Sequence, residues 1–223
     1  KGGRYGKNSG CNTAQLDDTS PMTRKRIRDI RNQELIDATI RAVHHHGYSD
    51  VTMVEIAREA DASAASINYY FGSKEKLIEA TMRHLLGMLK SILLERLALA
   101  RTPRERLLAI LDANFDDRLF TVEQCSLWMQ FWANAPYAAS LSRLHHINRA
   151  RVRTHFRAEL RVLLPQDRRE TVREALQAYM DGVWLEATQS DKNPDAATTR
   201  AEARRVADLM LDIATSGAPH TRG

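Results

Sequence analysis

Residues 52–71 read TMVEIAREADASAASINYYF, two short helices with a tight break between them. Thr52 and Glu55 have capping-box spacing: a hydroxyl for a free backbone N–H and a carboxylate three residues on to return the bond. Val54, Ile56, Ala57 and Ala60 recur at helical intervals, and Asp61-Ala62-Ser63 interrupts them, with Ser63 as a second N-cap. Gly72 stops the second helix and Ser73 caps the next. The second helix is slim at its leading end, through Ala64, Ala65 and Ser66, and carries hydrogen-bonding tips at Asn68 and Tyr69. A helix that enters the major groove needs that combination: Asn pairs bidentately with adenine, and a tyrosine hydroxyl suits a phosphate oxygen. An ordinary helical hairpin fits the same pattern.

Around this stretch the chain reads as helix throughout. Apolar residues recur with a period near 3.6, and no strand-like alternation competes, so the expected class is all-α with about nine helices. Helix 1 runs to about His46, with Leu35, Ile36, Ile40 and Val43 inward and Gly47 as its stop. Residues 24–31, RKRIRDIR, hold five basic side chains against one acidic. They are a solvated helix start or an arm laid on DNA, in which Arg24, Lys25 and Arg26 meet phosphates or the minor groove. The fourth helix starts at Lys74 and reaches toward Ala100, roughly 40 Å at 1.5 Å per residue. Lys74 and Lys76 lie in its first turn, where free N–H groups already favour phosphate.

The expected organisation is a leader over residues 1–21, a DNA-binding head over 22–80, a body over 81–216 and a tail over 217–223. The leader is polar, glycine-rich and aperiodic, and reads as disordered. The body's helices have readable starts at Thr102-Pro103-Arg104-Glu105, Thr121 to Gln124, Pro136, Asp167 to Glu170 and Thr199 to Glu202. His44-His45-His46 invites a metal reading, but consecutive helical residues point about 100° apart and do not converge on one ion. No metal and no cofactor is expected.

Composition sets outer bounds. The 223 residues carry a formal charge of +5, which permits nucleic-acid binding without establishing it. Only two cysteines occur, Cys11 and Cys125, far apart in sequence, which argues against a disulfide framework and for a reducing cytoplasm. No apolar run approaches a membrane span, so no membrane partner is expected. An enzyme is the competing class, yet there is no Gly-x-Ser-x-Gly elbow, His-Glu-x-x-His pair, Rossmann loop or Walker loop. His145 and His146, with Arg143 and Arg149 nearby, read as surface.

In the body, Trp128 and Trp132 share one helix face, Phe131 lies between them, Tyr137 follows, and Trp184 lies farther on. Two tryptophans on one face are either core or an aromatic cage. Ring faces attract quaternary ammonium groups, with about 0.5–2 kcal/mol per contact. Asp112 and Asp116 precede the pair and could lend negative potential.

The run Thr52-x3-Ile56-Ala57, then Ser63, then Tyr69-Tyr70-Phe71-Gly72-Ser73-Lys74-Glu75-Lys76-Leu77-Ile78 resembles the signature of TetR-family repressors. Beyond the head, most of the chain from residue 24 resembles the family's choline-responsive branch, the repressors of the betaine pathway. That likeness runs through Gln33 to Thr39, Ile67 to Phe71, Glu79 to Arg83, Asn114-Phe115-Asp116, Trp128, Phe131-Trp132-Ala133, the arginine-rich 149–161 segment and Asp181 to Leu185. Departures are Asn68, where that branch has histidine, Ala62 to Ala65, and Glu186, where arginine is usual.

The resemblance implies a repressor that binds a palindromic operator as a homodimer and answers to choline or betaine aldehyde. It places the twin across Val172, Leu176, Tyr179, Met180 and Val183 of the eighth helix and Val206, Met210 and Ile213 of the ninth. A repressor answering to an unrelated apolar ligand, a ligand-independent architectural DNA binder, and a helical enzyme without a recognisable motif stand as the alternatives.

Overall fold

The computed structural model describes residues 21–190 and 192–216, with the side chains of 21–28 left out. The expected leader and tail, Cys11, and the side chains of Arg24, Lys25 and Arg26 therefore lie outside the described residues. Among the described residues there are nine α-helices, one turn of 3-10 helix and no strand. In chain order they are α1 (Pro21–His46), α2 (Met53–Glu59), α3 (Ala64–Phe71), α4 (Lys74–Leu99), α5 (Pro103–Asn114), α6 (Val122–Asn134), α7 (Ala139–Leu163), α8 (Arg169–Ala187) and α9 (Ala196–Ser216). No helix among them is long and apolar enough to cross a membrane.

Local chemistry sets most of the boundaries. Thr52 and Thr102 form full capping boxes with Glu55 and Glu105, while Ser63, Ser73 and Thr121 each accept one backbone N–H. Gly47 and Gly72 close α1 and α3 with φ of +83° and +80°, a region that costs a residue with a Cβ. The backbone of residues 24–31 is helical, since α1 begins at Pro21, in keeping with the helix-start reading. Two other starts differ from the sequence expectation. Pro136 belongs to a 3-10 turn (Ala135–Tyr137), and α7 starts only at Ala139. The last helix begins at Ala196, where the Asp195 carboxylate accepts the N–H groups of Ala197 and Thr198 at 3.0 and 3.1 Å; Thr199 and Glu202 lie inside it.

Helices α1 to α3 and the first turns of α4 share an apolar core of Leu35, Val43, Val51, Ile56, Ile67 and Leu77, all essentially inaccessible. Val54, by contrast, is exposed. α4 continues from this head into the body, where α5 and α7 pack on it. α6 packs on α1 on one side and α8 on the other, and α9 closes the body over α5 and α8. Phe115, Phe131, Phe156 and Leu176 fill the interior. Cys125 is buried there, and burial pushes its thiol up to about 12.

Charged pairs tie the body helices together. Asp112, Asp116 and Glu159 are buried, and each meets arginine from another helix. Arg204 of α9 grips Asp112 with two bonds, Arg96 of α4 reaches both Asp112 and Asp116, and Arg106 of α5 meets Glu159 at 2.8 Å. Burial alone would raise the Asp116 pKa. Hydrogen bonds from Arg118 and Arg96 more than reverse that and hold it well below the usual carboxylate range. A folded-state pKa below the unfolded value adds stability at neutral pH that is lost as pH falls through the carboxylate range toward the folded value. Asp116→Asn should therefore flatten the loss of stability between about pH 5 and pH 2. Arg96→Met should cost about 1.5–3 kcal/mol in urea unfolding at neutral pH, since it removes a charge-assisted hydrogen bond while Arg118 and Arg204 still pair the two carboxylates.

Candidate DNA-reading head and effector cavity

The head presents α3 on a short, rigid turn. Ala62 N–H reaches back to the Ala57 carbonyl at 2.9 Å, and Asp61 takes the left-handed conformation at φ 47° that the reversal requires. Ser63 Oγ accepts from Ser66 N at 3.1 Å and fixes the start of α3. Ile67 is buried where α3 packs on α2 and α4, which turns the opposite face of α3 outward. On that face Ala65, Asn68 and Tyr69 are exposed, with Ala64 and Ser66 half-buried beside them. Tyr69 stands 86 % exposed, its ring edge-on to Tyr70 at 5.5 Å. Lys76 and Thr52 are also exposed. Lys74 departs from the expectation: its ammonium is turned onto the carbonyls of Tyr48 and Ser49, at 3.5 and 3.1 Å, so it braces the loop before α2. His45 and His46 face Glu59 and Glu55 at 3.3 and 3.7 Å, each ring toward a different carboxylate.

In the body, α4, α6, α7 and α8 leave a small cavity between them, about 30 Å³. Trp128 and Trp132 of α6 and Trp184 of α8 line it, with Leu89, Val152 and Met180 as apolar wall. The Trp128 ring lies 5.8 Å from Trp184 and 6.3 Å from Trp132. The polar lining comes from Asn114, Asn148, Arg149, Gln177 and Asp181. Arg149 donates to Asp181 at 2.6 Å, Gln177 donates to the other carboxylate oxygen at 2.9 Å, and the Arg149 guanidinium sits 6.0 Å from the Trp132 ring centre. One face of Trp132 thus already holds a cation of the protein.

The expected cage is corrected in several places. Tyr137 is 88 % exposed, because the 3-10 turn at Pro136 swings it outward. Phe131 is core, packed behind Trp128 and against the ring of His145. Asp112 and Asp116 face the arginines of the body staple, and the carboxylate on the cavity wall is Asp181. His145 is half-buried rather than on the surface, and burial with Arg149 nearby lowers its pKa. Asn148 went unread and Arg149 was read as surface within an arginine-rich helix; a side chain turned inward there leaves no signal in composition.

The residues expected at a twofold interface divide. Val172, Leu176 and Met180 lie inside the protomer, 7 %, 0 % and 2 % exposed, and Met180 lines the cavity, so they cannot face a second copy. Tyr179, Val183, Val206 and Met210 are half-buried, and Ile213 is exposed. Leu209, an apolar residue of the same helix that the sequence reading did not assign to the interface, is 60 % exposed one turn before Ile213.

Head and body meet at Gln130, between Trp128 and Trp132 in sequence. Its amide nitrogen donates to the Val43 carbonyl at 3.2 Å, near the end of α1, and its amide oxygen accepts the Tyr48 N–H. The helix that walls the cavity is therefore hydrogen-bonded to the segment that leads into α2.

Comparison with known proteins agrees with this architecture. Residues 35–81 match the bacterial regulatory proteins of the tetR family, and residues 103–212 match the C-terminal region of BetI-type transcriptional repressors. The chain is 35 % identical over 191 residues to the HTH-type transcriptional regulator BetI of Burkholderia ambifaria, covering 85 % of this chain and 98 % of that protein. The BetI regulator of Burkholderia thailandensis gives the same identity and coverage. Among solved structures, a transcriptional regulator from Pseudomonas aeruginosa PAO1 superposes with a TM-score of 0.71 at 24 % identity, covering 85 % of this chain and 92 % of that one. A regulator from Saccharomonospora viridis in complex with choline gives 0.69 at 18 % identity, covering 81 % and 96 %, a likeness of fold. These matches exclude the enzyme reading. The chain belongs to the TetR family of DNA-binding transcriptional regulators, as a repressor with a BetI-type body.

Proposed function

We propose that this repressor, as a cytoplasmic homodimer, holds a palindromic operator and is released from it by a quaternary ammonium effector, choline or betaine aldehyde. Its target is choline-to-glycine betaine metabolism or a related quaternary-amine pathway. The observation that carries the reading is the tryptophan-lined cavity on α6, the helix bonded through Gln130 to the head. The Burkholderia relatives and the choline-bound fold neighbour support the choice of effector. Release requires that the effector favour one head arrangement over another, and Gln130 is the contact through which a shift of α6 reaches α1. The experiment is calorimetry with choline alongside operator binding. Choline should bind the parent and weaken its hold on the operator. Trp132→Leu, which keeps bulk but loses a ring face, should fold, bind operator, and take choline about 3- to 30-fold more weakly. Parent protein that ignores choline would leave a repressor with a different signal.

In the head, Ser66 and Asn68 are assigned to bases, with Ala64 and Ala65 allowing close approach. Tyr69 and Lys76 are assigned to phosphates, together with Arg24, Lys25 and Arg26; Thr52 and Ser63 present their helix N-termini to the backbone. Lys74 supports the loop instead. Asn68→Ala should relax preference at one base pair per half-site by about 1–3 kcal/mol in a randomised-operator selection. Tyr69→Phe should weaken specific and nonspecific DNA alike. An Asn68→Ala selection identical to the parent's would remove the base-reading role.

The twofold partner is assigned to the outer face of α8 and α9: Tyr179, Val183, Val206, Leu209, Met210 and Ile213. An unpaired charge on a desolvated surface opposes association. Ile213 is exposed in the protomer, so Ile213→Glu should sediment as a folded monomer where the parent is dimeric. A dimeric Ile213→Glu protein would move the interface elsewhere.

A further inference from the structure

Three polar groups in the wall of the tryptophan cavity make no hydrogen bond to any described residue: the indole N–H of Trp128, the indole N–H of Trp132 and the amide oxygen of Asn148. Trp128 is 3 % exposed and Asn148 8 %. Other polar groups of the wall have partners within the protein. Asp181 takes Arg149 and Gln177, and the Asn114 amide donates to the Ile110 carbonyl at 2.8 Å. A polar group shut away from water without a partner opposes folding, and folded proteins leave few of them. Two donors and one acceptor, on residues that line one cavity, are complementary to a ligand group that can both accept and donate.

Resting on the quaternary-ammonium reading above, we propose that the effector carries a hydroxyl and that Trp128, Trp132 and Asn148 read it. An indole N–H donates to the hydroxyl oxygen, and the hydroxyl donates to the Asn148 amide oxygen. Asn148 is then the residue that sets specificity for the alcohol end, while the ring faces serve the ammonium end. A methyl in place of the hydroxyl leaves these groups unmet inside a desolvated wall. Sites built to hydrogen-bond a ligand hydroxyl reject the analogue that lacks it more strongly than apolar pockets reject a missing methylene.

The test is calorimetry of the full chain with three ligands. Choline has both ends, propyltrimethylammonium replaces the hydroxyl with a methyl, and 3,3-dimethylbutan-1-ol replaces the charged nitrogen with carbon. On the parent, propyltrimethylammonium should bind at least about tenfold more weakly than choline. Asn148→Leu should bring the two ligands close to parity while operator binding persists. Equal affinity for choline and propyltrimethylammonium on the parent overturns the hydroxyl reading, whether or not the variant folds. A parent preference that survives intact in Asn148→Leu overturns the assignment to Asn148. Dimethylbutanol binding as tightly as choline overturns the ammonium reading instead, and a parent that binds none of the three overturns both.

Discussion

A backbone N–H or carbonyl closed between two packed units needs a partner, and at the junction of head and body that partner is Gln130. α1 ends at His46, Gly47 turns the chain and donates back to the Val43 carbonyl, and one amide from α6 meets that same carbonyl and the Tyr48 N–H. The same loop is braced from the other side by Lys74 on the carbonyls of Tyr48 and Ser49. The position of α2, and with it the outward face of α3, therefore follows from contacts made at both ends of this loop. A head attached through α4 alone would be free to swing about one helix axis. Attached through α4 and α6, it is held relative to both helices.

The body supplies the stiffness against which such a shift counts. Asp112, Asp116 and Glu159 lose hydration when buried and are held only because arginines from α4, α5 and α9 converge on them. Removing water makes these pairs directional, so α4, α5, α7 and α9 are tied at charged points as well as packed. The cavity lies among α4, α6, α7 and α8, and its own charged pair, Arg149 with Asp181, ties α7 to α8.

The helical class and the head were legible because their signals are local. Thr52 with Glu55, Ser63, Gly72 and Ser73 act within three or four residues, and the structure uses each as its chemistry dictates. Boundaries failed where a competing local group was nearer: Asp195 captured the N–H groups of α9 before Thr199 could, and Pro136 made a 3-10 turn that carried Tyr137 away from the tryptophans. Helical spacing brought Trp128 and Trp132 onto one wall. Which polar residues of α7 and α8 would face that wall was not legible, because an inward Asn148 and an outward Arg153 look alike in a polar sequence. The same limit divided the α8 stripe, where Val172, Leu176 and Met180 face their own protomer while Tyr179 and Val183 lie nearer the surface.

Cys125 sits deep in the body, one helical turn before Met129, with its thiol pushed up to about 12 by burial. The thiolate is the species that reacts with peroxide, disulfides and soft metals, and burial disfavours it. Neither oxidant nor disulfide exchange has a handle at this position. The sulfur lies on the helix that walls the cavity, and burial there leaves that helix without a reactive thiol.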